Sequence, residues 1–182
     1  MSQEVPSPSR SGGAGSLGLR HSRWRTLTAA LGAGALLLVT GAWWATHPAG
    51  LPVKDGHVTA VTTPGRPVYV GVYSAAGDGR ALRVGGVHVR TDATVPVSVE
   101  PLLCRGGSIS VTTDAAIFCQ EVVEPDGQQM APEDSLVLRV TGDEAGAAFI
   151  ARVSVTFRSG LRVGTSPAGT SAVVAIVPPA GS

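Results

Sequence analysis

The chain has 182 residues, of which 43% are hydrophobic and 15% charged, with a net charge of +1 and two cysteines. Such an apolar share excludes a wholly disordered chain, and near-neutral charge gives no electrostatic case for a nucleic-acid partner. Two cysteines build neither a disulfide-dense scaffold nor a four-cysteine zinc site. One domain with accessory segments is the expected organisation. Asparagine is absent, which removes any Asn-x-Ser/Thr acceptor.

Residues 1–25 are rich in Ser, Gly and Pro and carry Arg10, Arg20, Arg23 and Arg25 against Glu4 alone. With no hydrophobic period, they read as a disordered basic tail. Gly13-Ala-Gly15-Ser-Leu-Gly18 matches G-x-G-x-x-G by letter, but it lacks the preceding strand and following helix of a dinucleotide site and reads as linker.

Thr26 to Thr46 is a run of 21 residues without charge. As a helix it would be roughly 31 Å long, the thickness of a hydrocarbon core. The three tryptophans bracket it, Trp24 at one end and Trp43 and Trp44 at the other, as interfacial belts do. Arg20, Arg23 and Arg25 crowd the N-terminal flank, while Lys54 is the first basic residue beyond the run. The expectation is a transmembrane signal-anchor helix over 26–46, with a cytoplasmic N-terminus, an extracytoplasmic remainder, and Arg20, Arg23, Trp24, Arg25, Trp43 and Trp44 at the two interfaces. The competing reading is a cleaved signal peptide, since Thr40-Gly41-Ala42 places small residues before Trp43; the long apolar run and long tail argue against it. Ala30 and Gly34, with Ala29 and Ala33, form a small-xxx-small pair that would permit a helix homodimer.

Residues 47–55 read as a juxtamembrane coil, confining the domain beyond it to roughly 15–20 Å of the bilayer. Beyond residue 46 valine occurs 23 times and leucine seven, with twelve acidic and ten basic residues. Valine favours strands, and period-two alternation is explicit at Val68/Val70/Val72, Val87/Val89, Val95/Val97/Val99, Leu136/Leu138/Val140 and Phe149/Ala151/Val153/Val155/Phe157. Gly- and Asp-rich turns separate these runs, as at Thr63-Pro-Gly65, Gly77-Asp-Gly79, Pro125-Asp-Gly127 and Gly142 to Gly146. The predicted domain, residues 56–178, is all-β: an immunoglobulin-like antiparallel β-sandwich of eight or nine strands preceded by one transmembrane α-helix, with 179–182 a short tail.

Cys104 and Cys119 are expected to form a disulfide in an exported domain. Extending the Val95/Val97/Val99 alternation puts Leu103 inward and Cys104 outward, so either a bulge at Pro101 resets the register or the bridge lies outside the core. His21, His47, His57 and His88 show no metal-ligand spacing, though strand neighbours could in principle join His57 and His88. The clusters Glu121/Glu124/Asp126, Glu133/Asp134 and Asp143/Glu144 raise calcium binding between loops, without EF-hand spacing. No G-x-S-x-G occurs, and Met1 and Met130 are the only methionines, so hydrolase and copper-delivery motifs are missing. No catalytic, cofactor-binding or metal-binding residue is assigned.

The Arg-flanked Ala/Leu/Gly run with Trp43-Trp44, the pair Cys104 and Cys119, and Phe157-Arg-Ser-Gly-Leu-Arg-Val-Gly-Thr165 together resemble the small single-pass proteins of high-GC Gram-positive bacteria, which have a basic tail, one helix and a β-rich exported domain. That group carries no known activity, so the resemblance implies no functional residue. The expected function is a non-enzymatic, membrane-tethered interaction module of the cell envelope, whose partners are the lipid bilayer and another membrane or envelope protein. Its surfaces are expected to be a sheet edge or the loops at Glu121–Asp134 and Arg158–Gly169. The alternative is a secreted or anchored hydrolase or a small-ligand or metal-binding sandwich, to be recognised by a cleft with convergent carboxylates or histidines.

Overall fold

The computed structural model describes residues 22–179, apart from Asp78 and Arg80. The basic tail to His21, with Arg20 and the glycine motif, lies outside the described residues. So do the side chains of Arg23, Trp24, Arg25, Ala29 and Ala30. By contacts the chain divides at Gly41/Ala42 into two units.

Helix α1 spans Ser22–Thr46. Its described side chains are those of residues 31–44, and all are exposed. Leu36, Leu37, Leu38 and Val39 are consecutive, so the exposed apolar surface runs right round the helix. Among the described residues no helix is long and apolar enough to cross a membrane.

The second unit is a β-sandwich. Its strands are β1 (Val53–Thr62), β2 (Val68–Ser74), β3 (Leu82–His88), β4 (Thr91–Ala93), β5 (Val97–Arg105), β6 (Val111–Thr112), β7 (Glu121–Val123), β8 (Gln129–Met130), β9 (Ser135–Gly142), β10 (Gly146–Ile150), β11 (Val153–Ser159) and β12 (Arg162–Ile176). One sheet runs β6-β2-β9-β5-β7; the other runs β4-β10-β12-β11-β3-β8, with β1 added alongside β12. The twelve segments exceed the expected eight or nine strands in part because two long strands are each cut in two. β10 and β11 are successive halves of one antiparallel partner of β12, with Ile150 opposite Ala172 and Val153 opposite Ala168. β3 and β4 form the next broken lane, pairing with β11 and β10.

This break corrects one expectation. A one-residue slip moves every side chain to the other face. Between β10 and β11 such a slip leaves Val153, Val155 and Phe157 in the core, while Phe149 is 46% exposed on the outside. Elsewhere the alternation holds: Val68, Val70, Val72, Leu136, Leu138 and Val140 are buried between the sheets with Ile150, Val174 and Phe157. A second departure is β1, which is parallel to β12 from His57↔Ser171 to Thr62↔Ile176. An irregularity between Val53 and His57 is held by the hydroxyls of Thr170 and Ser171, which both donate to the Gly56 carbonyl.

β12 itself bends at Gly169. There φ is +64°, and a Cβ would lie 1.8 Å from the Val72 carbonyl oxygen. Only glycine meets both demands at this crossing of β12 with β2.

Candidate functional site

Residues 47–52 form no regular element, yet they are held in place. Pro48 and Pro52 disfavour helix and extend the chain, and the segment lies along β12 as a strap. Pro48 packs on Gly164, where a Cβ would come within 2.4 Å of its ring. The Leu51 side chain is buried in the core, and its N–H donates to Ser166 Oγ at 3.2 Å. The Gly169 N–H donates to the Pro52 carbonyl at 2.9 Å, and β1 starts at Val53, inside the stretch expected as linker. Phe157 pairs with Gly164 across β11 and β12, so the strap covers the inner face of this hairpin.

The hairpin closes in a two-residue turn between Ser159 and Arg162. Gly160 takes φ of +61° and Leu161 a negative φ, the type II′ arrangement that suits strand twist. Arg158 Nε donates to the Gly160 carbonyl at 2.9 Å. Leu161 is 79% exposed at the corner of the turn, and Val163 51%. The Arg162 guanidinium lies 3.3 Å from the centre of the Trp44 ring, a cation–π contact. The Trp43 ring stacks on His47 at 4.8 Å, and His47 Nδ1 is 2.9 Å from the Trp43 carbonyl. Between Trp44, Pro48, Ala49 and the turn lies an open cavity of about 380 Å³. Arg152, Arg158 and Arg162 are the charges of the hairpin, and no acidic residue follows Glu144 in the sequence. The sequence singled out Trp43 and Trp44, as expected interfacial residues, but nothing in it marked Leu161 and Arg162 apart from their neighbours. The stretch Arg158–Gly169, expected as loop, is mostly strand.

Cys104 and Cys119 form a disulfide. Pro101 does not reset the register, because β5 pairs with β9 without a shift from Val97 to Cys104. Leu103 therefore enters the main core, and Cys104 the outer face of its sheet. There it forms a second cluster with Cys119, Ile109, Ala115 and Val137. Asp134 is buried and ties down this cover: Oδ1 accepts from the Gly106 N–H and Oδ2 from the Ala131 N–H, both at 2.8 Å. Ser135 Oγ donates to the Gly107 carbonyl.

Asp134 thus commits both oxygens to backbone donors, and Glu121 pairs with Arg105 at 3.6 Å. His57 and His88 are exposed on β1 and β3, with β12 and β11 between them, so they are not strand neighbours. Among the described residues no three His, Cys, Asp or Glu side chains group closely enough to hold a metal ion. A second cleft, of about 360 Å³, lies beside β1 and β2, with Lys54 and the hydroxyls of Ser74, Ser108, Ser110 and Thr170 in its wall. The hydroxyls can donate and accept hydrogen bonds and Lys54 can donate them; no carboxylate or histidine lines either of these two cavities. Comparison with protein-family models, with curated proteins and with solved structures finds no match to this chain.

Proposed function

We propose that this chain is a non-enzymatic, membrane-tethered interaction module of the bacterial cell envelope, its N-terminus cytoplasmic and its β-sandwich extracytoplasmic. The observation that carries the reading is the exposed apolar collar of α1. Leu31, Leu36, Leu37, Leu38 and Val39 are each at least 66% exposed, and fully covering each such side chain would gain about 1.5–3 kcal/mol. An apolar surface that runs round a helix is stable in lipid or when enclosed by protein. The uncharged sequence from Thr26 to Thr46 and the arginines before it favour lipid and fix the orientation.

The displayed domain is immunoglobulin-like in plan. Support comes from the strand order. β2-β9-β5 stands where the B, E and D strands of such a sandwich stand, and β12-β11-β3 where G, F and C stand. β1 takes the place of the first strand but joins β12 instead of β2. A β-sandwich presents sheet edges and loops, the usual surfaces for another envelope protein.

Alkaline extraction of bacterial membranes holding the full chain and, separately, protease treatment of intact cells test the reading. The expected result is retention in the membrane pellet with the β-domain accessible to protease. Release into the supernatant would overturn the tether, and protection of the domain in sealed cells would overturn the orientation.

A further inference from the structure

We propose that the β11–β12 hairpin tip is a second membrane contact, with Leu161 and Val163 in the headgroup layer and Arg158 and Arg162 on anionic lipid phosphates. The inference rests on residues 26–46 being an uncleaved span. In that case Trp44 sits at the bilayer interface, where tryptophan is favoured. Arg162 lies 3.3 Å from the Trp44 ring, so the tip shares the depth of that ring.

The chemistry of the tip suits that depth. Leu161 is driven outward by the tight turn at Gly160, and Val163 stands beside it. Arg158 is exposed and Arg162 half-buried, and both are long enough to reach phosphate while their stems lie on apolar surface. The hairpin carries no carboxylate; Glu124 and Asp126 lie in the β7–β8 connection on the β3 side, and Asp143 and Glu144 at its opposite end. Apolar residues flanked by arginines are what an interfacial lipid contact needs. The strap makes the contact specific in orientation. Pro48, Leu51 and Pro52 are pinned to β12, so the chain that follows Trp44 runs along the hairpin that carries the tip.

The test uses the full chain in phosphatidylcholine vesicles, with and without phosphatidylglycerol. The native cysteines are bridged, so Leu161→Cys and Asp143→Cys each give one site for an environment-sensitive fluorophore. The expected result is a blue-shifted label at 161, quenched by headgroup-region quencher lipids, and an unquenched label at 143. Arg158→Gln with Arg162→Gln is expected to weaken quenching at 161 in the anionic vesicles, at roughly fivefold in partition per arginine. If the chain floats with the vesicles while label 161 stays as exposed as label 143, the tip contact is overturned and the tether stands. If the chain does not float, the tether fails and the tip contact with it. Protection of label 161 in native membranes but not in vesicles would also overturn it, assigning the tip to a protein partner.

Discussion

Leu138 and Leu161 lie in the same domain with opposite surroundings. Leu138 is wholly buried on β9 between two sheets, and Leu161 is 79% exposed at the end of a hairpin. Where the two sheets face each other, period-two alternation decides burial. Where β11 and β12 reach beyond that overlap, burial depends on what the chain lays over them. The strap covers the inner face through Pro48 and Leu51 and leaves the outer corner bare. The stability of the fold thus resides in the sandwich, while Leu161 and Val163 at the tip stay uncovered.

The largest expected effect lies in the sandwich. Leu138→Ala is predicted to cost about 4 kcal/mol in denaturant unfolding, through lost burial and a cavity that cannot collapse. Gly169→Ala is predicted to cost about 3 kcal/mol, because it forces a side chain into a left-handed conformation and against the Val72 backbone. A cost below about 1 kcal/mol, the size of an ordinary substitution, would mean that β12 is not held at that crossing. Replacing Cys104 and Cys119 together by Ala should cost about 2–3 kcal/mol for a loop of this length. The near-ultraviolet signal of the main core should persist, since the bridge belongs to the outer cluster. At the tip the effects shrink. Arg162→Ala should cost about 0.5–1 kcal/mol, the worth of an exposed cation–π contact. Leu161→Ala should cost less than about 0.5 kcal/mol, as for other surface sites. Equal losses at Leu138 and Leu161 would dissolve the contrast.

The valine alternation made much of the sandwich legible, because each period-two face meets a sheet. Even the side of the sheet on which Cys104 lies followed from the parity of Val95, Val97 and Val99. Phe149 was illegible for a physical reason: the slip at Ala151–Arg152 breaks the ladder without breaking the pattern of letters. The strap was illegible because His47-Pro-Ala-Gly50 reads as coil, and its order comes from Gly164, Ser166 and Gly169 on a strand more than a hundred residues away. The parallel β1–β12 pair and the Trp44–Arg162 contact have no local period to announce them. Ser159-Gly160 did carry a hairpin signal, since Gly suits the first position of a type II′ turn.

Whether an uncleaved apolar run brings Trp44, and with it the hairpin tip, to the bilayer is decided by the intact mass of the protein recovered from bacterial membranes. An uncleaved run gives a mature chain that retains residues 26–46 ahead of the β-domain. A mature N-terminus at Trp43 would contradict it.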